Sequence, residues 1–369
     1  MLQFTLTMEN TRAMANALFA PLRLGSMTLP NRIIMAPMTR SRATAAGVPQ
    51  PIMAQYYADR ASAGLIVTEA TQISYEGWGY PRTPGVQTPD QIEGWRMVVK
   101  AVHAAGGRIF LQLFHGGRIA SRLNRPIDAD VVAPSAIKAP GQMWTDAKGA
   151  IDHDEPRALK TEEIKRVASD FAQAAKSAIG AGFDGVEIHS ANGYLMHQFL
   201  SSNVNQRTDE YGGTIENRIR MPLEVVQAVI AAVGAGKTGV RISPGHKFND
   251  IEEHDIEKVY GAYISALDKF GLAYLHVMRP LHEHAIDPVT MARGMFSGSL
   301  IAAGNYTPED AEKLIAAGGA DAVAFGKAYI ANPDLVERIK RGVSLNVADE
   351  ATFYTPGPAG YVDYPALVS

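Results

Sequence analysis

His189, Asn192 and Tyr194 stand within six residues, His189-Ser190-Ala191-Asn192-Gly193-Tyr194. An imidazole and a carboxamide can both donate hydrogen bonds to an oxygen that gains negative charge. A phenol with a reference pKa of ~10 can give a proton to a carbanion. If one short turn aims all three into one pocket, the set suits addition of hydride to an activated double bond. The same spacing also suits a His and an Asn that satisfy loop backbone, with Tyr194 as packing. Arg241 raises a second question, because it interrupts the apolar run Thr238-Gly239-Val240-Arg241-Ile242-Ser243. A guanidinium there is unfavourable unless it is paired or faces a charged ligand. Glu187 and Glu69 are candidate partners, and an anionic ligand is the alternative.

Short apolar, β-branched runs recur eight times, at 32–36, 65–71, 108–113, 184–189, 238–243, 273–278, 299–303 and 321–326. Helix-period segments separate most of them. In 161–181, Ile164, Val167, Ala168, Phe171, Ala174, Ala175 and Ala178 share one face behind Thr161 as N-cap. A second runs from Ile256 through Val259, Tyr260, Tyr263, Ile264 and Leu267 to a stop at Gly271, and Thr307-Pro308-Glu309-Asp310 reads as an N-cap, N1 proline and acidic first turn. Only the sixth unit, around 291–296, has a weak pattern. Buried strands alternating with surface helices force parallel pairing, and eight units predict an α/β fold, a (β/α)8 TIM barrel. The expectation is one catalytic domain over 14–369 behind a flexible extension, 1–13, with Met14 as an alternative start. Residues 118–160, with Pro126, Pro134, Pro140 and Pro156, follow the third strand and are expected to form a lid-like loop over the C-terminal mouth.

In such a barrel, chemistry sits where the strands end. The sequence places Pro37-Met38-Thr39-Arg40, Glu69-Ala70, Gln112-Leu113-Phe114-His115, Met278-Arg279, Gly304-Asn305 and Gly326-Lys327 there, beside the His189 cluster and Arg241. Glycines after the last two strands offer backbone N–H groups to a phosphate, and Lys327 adds charge; glycine also serves simply to turn the chain.

Composition narrows the partners. Thirty-five Lys+Arg against 38 Asp+Glu give a formal charge of −3 with no basic run, which removes the electrostatic reason to bind nucleic acid or an anionic membrane. Zero Cys excludes disulfides, thiolate nucleophiles, Cys-held iron–sulfur clusters and Cys-ligated zinc, and no metal site is expected. No stretch nears the roughly 18 apolar residues of a membrane span, and MLQFTLTMENTR lacks basic residues before its short apolar run. The expectation is a cytoplasmic protein that acts on small molecules.

Residues 189–220, HSANGYLMHQFLSSNVNQRTDEYGGTIENRIR, resemble the signature of the Old Yellow Enzyme family of FMN-dependent ene-reductases almost position for position. Supporting matches are LFAPLRLGSMTLPNRIIMAPMTRSRA (18–43), YYADRASAGLIVTEATQIS (56–74), QLFHGGR (112–118), VRISP (240–244) and FGKAYIANPDL (325–335). The resemblance implies tightly but non-covalently bound FMN across the barrel mouth, near Pro37, Met38, Thr39 and Ala70. Thr39 would bond the ring's C4 carbonyl, Gln112 its pyrimidine edge and Arg241 its N1/C2 side; Gly304, Asn305, Gly326 and Lys327 would hold the phosphate. His189 and Asn192 would bind a substrate carbonyl or nitro oxygen, with Tyr80, Phe114 and Tyr354 lining the substrate side. NADPH or NADH would reduce the flavin and leave. The activated alkene or nitro compound would then take hydride from N5 at Cβ and a proton from Tyr194 at Cα, in a ping-pong sequence.

Phe114 departs from the Trp common in the family, Lys327 replaces the more usual Arg, and Asn192 is one of two family variants at its position. Pro222 is tolerable only in the first turn of its helix or at a kink. Thr39 and the missing Cys argue against relatives with Cys beside the flavin or with an iron–sulfur cluster. Two other readings remain: a flavin-binding barrel without turnover, and a barrel hydrolase using Glu69 and Glu187 as paired carboxylates. A monomer or small homo-oligomer is expected.

Overall fold

Runs that read as apolar without alternation become strands buried on both faces, as parallel barrels require. In a computed structural model, which describes residues 17–280 and 286–367, these are β1 Ile33–Met35, β2 Leu65–Val67, β3 Ile109–Phe114, β4 Gly185–Ser190, β5 Thr238–Ile242, β6 Tyr274–Met278, β7 Leu300–Ala303 and β8 Ala322–Phe325. Each pairs in parallel with its sequence neighbours, and β8 returns to β1 through Val323 opposite Ile33 and Phe325 opposite Met35. That last pairing closes the TIM barrel. All eight expected strands are present; the expected extension 1–13 and Met14 lie outside the described residues.

The interior is filled by large side chains opposite small ones. Phe110 and Tyr274 pack within it beside Ile34, Leu65, Val67 and Ile301. A Cβ on Gly239 would come within 2.3 Å of the Tyr274 ring, so the Tyr fits only against a residue without a side chain. A hairpin of Leu22–Leu24 and Met27–Leu29 puts Leu22, Leu24 and Leu29 into the same interior cluster.

The principal helices are α1 Pro51–Ala58, α2 Pro89–Ala104, α3 Thr161–Ala181, α4 Arg220–Val233, α5 Ile256–Asp268, α6 Pro288–Arg293, α7 Pro308–Ala316 and α8 Leu335–Arg341. The seven apolar residues expected on one face of α3 are all buried there. Thr161 is not its N-cap: Lys160 holds that position, and Glu163 reaches back to the Lys160 N–H at 2.8 Å. The longer Glu side chain takes over the capping that a Thr side chain would have supplied. Helix α5 ends at Asp268, with Gly271 at φ +64 two residues past the cap. Thr307 caps α7 as read, and Pro222 falls at the third residue of α4, where its missing N–H costs no bond. The weak sixth unit is the six-residue α6. No described helix is long and apolar enough to cross a membrane.

The segment 118–160 is not a structureless loop. Val132–Ala133 pairs in parallel with Arg157–Ala158, and Gln142–Thr145 forms an antiparallel hairpin with Gly149–Asp152. The hairpin carries Gln142, Met143, Trp144 and Asp146 to the mouth of the barrel, as expected of a lid.

Candidate active site

The mouth opens into a cleft of about 1410 Å3. Lining it are Pro37, Met38 and Thr39 after β1, Ala70 after β2, Gln112 from β3, and Arg241 from β5. Gly304 and Asn305 follow β7; Gly326 and Lys327 follow β8. His189, Asn192, Tyr194, Tyr80 and Tyr354 complete the wall. Phe114 is the correction. It is 1% exposed and lies behind the cleft, its ring 4.5 Å from that of Tyr194 and 5.7 Å from His189. An aromatic there packs behind the His189 and Tyr194 rings.

Backbone geometry after β4 aims the cluster. Asn192 (φ +55) and Gly193 (φ +73) are successive left-handed residues, which reverse the chain before the short helix Leu195–Leu200. A Cβ on Gly193 would also lie 2.6 Å from the Phe248 carbonyl oxygen, so glycine is demanded by space as well as by φ. His197, fully buried, fixes this turn from below: its Nδ1 accepts from the Gly193 N–H at 3.1 Å, while Nε2 meets Glu253 Oε1 at 3.1 Å and the Tyr260 hydroxyl at 3.0 Å.

His189 is held neutral. Burial first, and then the Arg241 charge, hold its imidazole well below the usual histidine range. Its Nδ1 accepts from the Ala191 N–H at 3.3 Å, which places the ring proton on Nε2 as a donor. The rings of His189 and Tyr194 stand edge to face at 5.0 Å. Burial raises the Tyr194 phenol above its ordinary value, opposed by the Tyr80 hydroxyl 2.9 Å away and by neighbouring Asn249. A protonated phenol is thus the stable form. Asn192 Oδ1 lies 3.2 Å from His246 Nδ1, which orients the carboxamide.

Arg241 pairs with neither expected carboxylate. Glu187 is already saturated by Gln112 Nε2 at 2.7 Å, the Tyr274 hydroxyl at 3.1 Å and His276 Nδ1 at 2.8 Å. Glu69 accepts from the Arg40 N–H and the Tyr57 hydroxyl, both at 3.3 Å. Arg241 Nη2 rests 3.3 Å from the Met278 sulfur, and its Nε is buried without a partner. A buried guanidinium in that state fits an anionic or strongly accepting ligand. Ionised Glu187 also forces the Gln112 amide nitrogen toward itself, leaving the Gln112 carbonyl to accept from the cleft. Both carboxylates of the hydrolase reading are fully buried and absent from the cleft wall, so that chemistry has no geometry.

At the other end, no loop hydrogen bond engages the N–H of Gly304, Asn305 or Gly326 among the described residues. Arg279 Nε holds the Gly304 carbonyl at 2.8 Å, which secures that turn. Lys327 Nζ sits 2.6 Å from Glu350 Oε1 on the surface, so its backbone rather than its ammonium faces the cradle. Trp144, Phe248 and Asn249 also line the cleft. Sequence reasoning missed them, because they sit on lid and loop segments without periodicity; for Asn249 the nearby VRISP match was the available signal. Arg279 was visible as a strand-end cation.

Strand-end amides and an unpaired guanidinium on one cleft suit barrel oxidoreductases that hold an anionic planar cofactor under a polarised small molecule. Comparison with known proteins makes the assignment specific. Residues 17–346 match the family described as NADH:flavin oxidoreductase / NADH oxidase. A probable flavin mononucleotide-dependent alkene reductase of Leishmania infantum is 44% identical over 358 residues, covering 95% of this chain and 98% of the relative. 12-Oxophytodienoate reductase 1 of Oryza sativa subsp. japonica is 42% identical over 364 residues, covering 96% and 94%. Among solved structures, the old yellow enzyme homologue from Zymomonas mobilis superposes with a TM-score of 0.92 at 42% identity, covering 95% and 99%. Morphinone reductase in complex with tetrahydroNAD gives 0.91 at 47%, covering 95% and 98%. The chain belongs to the NADH:flavin oxidoreductase / NADH oxidase family, the FMN-dependent alkene reductases of Old Yellow Enzyme type. It is an oxidoreductase with FMN and a nicotinamide as cofactors.

Proposed function

We propose that this enzyme reduces the activated C=C bond of α,β-unsaturated carbonyl compounds, maleimides and nitroalkenes. The supporting observation is the juxtaposition of a neutral, Nε2-protonated His189 and a protonated Tyr194 on one wall of a cleft that Arg241 enters without a carboxylate partner. FMN, when bound, supplies the hydride. Arg241, the Gln112 carbonyl and Thr39 would hold its ring, and the amides of Gly304, Asn305, Gly326 and Lys327 its phosphate. His189 Nε2–H and the Asn192 carboxamide bind the substrate oxygen and stabilise charge growing on it, a role worth about 3 kcal/mol per donor in comparable sites. Tyr194 donates the proton that completes reduction. The proposal keeps the protein in the cytoplasm as a monomer or small homo-oligomer, on the composition argument.

Stopped-flow separation of the two half-reactions tests this. Anaerobic NADPH or NADH should bleach the holoprotein, and cyclohexenone or N-ethylmaleimide should restore the colour. Tyr194→Phe should slow only the second phase. Equal slowing of both phases would remove Tyr194 from the proton step.

A further inference from the structure

The Tyr194 phenol has company. Tyr80 Oη lies 2.9 Å from Tyr194 Oη, with the two rings edge to face at 6.3 Å. Asn249, in the loop after β5, lines the cleft beside both phenols and opposes the rise that burial gives them, and its Nδ2 donates to the Asn192 carbonyl at 2.8 Å. Its backbone is strained: Asn249 (φ +57) and Asp250 (φ +61) are consecutive left-handed residues without being glycine. Such conformations persist where the surroundings over-determine them. Buried Arg118 does so, its Nη2 reaching the Asn249 carbonyl at 3.1 Å, the Asp250 carbonyl at 3.2 Å and Asp250 Oδ2 at 3.1 Å. Asn203 Nδ2 adds a bond to the Asp250 carbonyl at 2.7 Å. Loops following β3, β4 and β5 are thereby locked around one phenol pair.

Hydrogen-bond polarity then limits the arrangement. An amide nitrogen only donates, and a phenol carries one hydrogen. When the Tyr194 hydrogen turns to the cleft, the Tyr80 hydrogen is the one left to bridge the 2.9 Å between the two hydroxyls. We propose that Tyr80 and Asn249 are positioning residues that aim the Tyr194 hydroxyl at substrate and stabilise the oxygen charge left when its proton departs. The inference rests on Tyr194 as the proton donor. In the step, the Tyr194 O–H bond breaks, the substrate Cα–H bond forms, and the Tyr194 phenolate stays hydrogen-bonded to Tyr80, with the Asn249 amide beside it, until water reprotonates it. The Tyr80 O–H bond remains intact throughout, as suits the group that burial and its neighbour Tyr194 hold well above the ordinary phenol value.

A double-mutant cycle in the holoprotein tests it. Tyr80→Phe should slow the oxidative half-reaction with 2-cyclohexenone about tenfold, about 1.4 kcal/mol in barrier, with flavin reduction by NADPH or NADH within twofold of wild type. Asn249→Asp, which replaces a donor by an acceptor at a site tolerant of its φ, should act in the same direction. In a Tyr194→Phe background, Tyr80→Phe should have no further effect. An additive loss there means that Tyr80 only packs the cleft, and it overturns the proposal. If Tyr194→Phe slows oxidation while Tyr80→Phe does not, the donor assignment stands and the positioning role falls; if Tyr194→Phe itself changes nothing, both fall. A readout independent of turnover is the fluorine resonance of 3-fluorotyrosine placed at position 194. It should move on Tyr80→Phe, and an unmoved resonance would contradict the hydrogen bond.

Discussion

At the scale of single residues, the site works because charged and polar groups are denied their usual partners. Arg241 lacks a carboxylate because Gln112, Tyr274 and His276 have saturated Glu187. Arg241→Met should therefore keep the fold yet weaken FMN retention at least tenfold, read from the fluorescence of flavin released on dilution; unchanged retention would mean that the guanidinium faces no flavin. His189 donates through Nε2 because its Nδ1 is occupied by the Ala191 N–H. His189→Ala should weaken phenol binding tenfold or more, and an unaltered charge-transfer titration would count against its role. His189, Asn192 and Tyr194 were legible together because one turn carries them. Arg118 and Asn249 were not, since the bond that joins them spans 131 positions and follows no periodicity.

Between elements, the question is what holds the mouth in shape. Barrel strands were legible because they are apolar on both faces, and α3 because its buried face repeats at helical spacing. The lid hairpin was not, because its strands are only four residues long, too short for their alternating burial to stand out in the sequence. Arg82 ties it down: it pairs with Asp146 of the hairpin turn, and donates to the Ser41 carbonyl at 3.2 Å and the Tyr354 carbonyl at 2.9 Å. Segment 350–361, which brings Tyr354 to the cleft, is moored by buried cations. Arg40 donates to the Phe353 carbonyl at 3.1 Å and the Gly360 carbonyl at 2.7 Å, and Arg42 to the Thr352 carbonyl at 2.8 Å. Arg42 is pushed down to about 10 by burial and by neighbouring Arg40. Arg40→Met would strand carbonyls at about 1–3 kcal/mol each. We expect faster hydrogen exchange across 350–361 with exchange in β1–β8 unchanged, whereas uniform exchange gains would refute a local mooring.

For the molecule as a whole, buried titratable groups set opposing pH dependences, and their signs can be worked out. Burial holds His115 down to about 3 from an ordinary 6.5. The unfolded chain thus binds its proton first, so this stability is complete above pH 6.5 and is lost as pH falls toward 3. His189, His276 and His153 are lowered by burial too and act in the same direction. Glu69 is the counterweight, pushed up to about 7 from 4.5 by burial. Here the folded chain binds the proton first, so its contribution is complete below pH 4.5 and is lost as pH rises toward 7. Burial raises Asp59 and Asp170 too, but from an ordinary 3.8, so between pH 7 and 5 the four histidines are opposed chiefly by Glu69, and the protein should lose stability on acidification over that range. Glu69→Gln removes the opposing slope. At about 1.4 kcal/mol per pKa unit, the variant should gain about 3 kcal/mol at pH 8 relative to pH 4.5 when both are referenced to wild type. Its denaturant midpoint should therefore fall more steeply between pH 7 and 5. Parallel wild-type and variant curves over that range would show that Glu69 keeps its ordinary ionisation, and that the histidines alone govern the acid response.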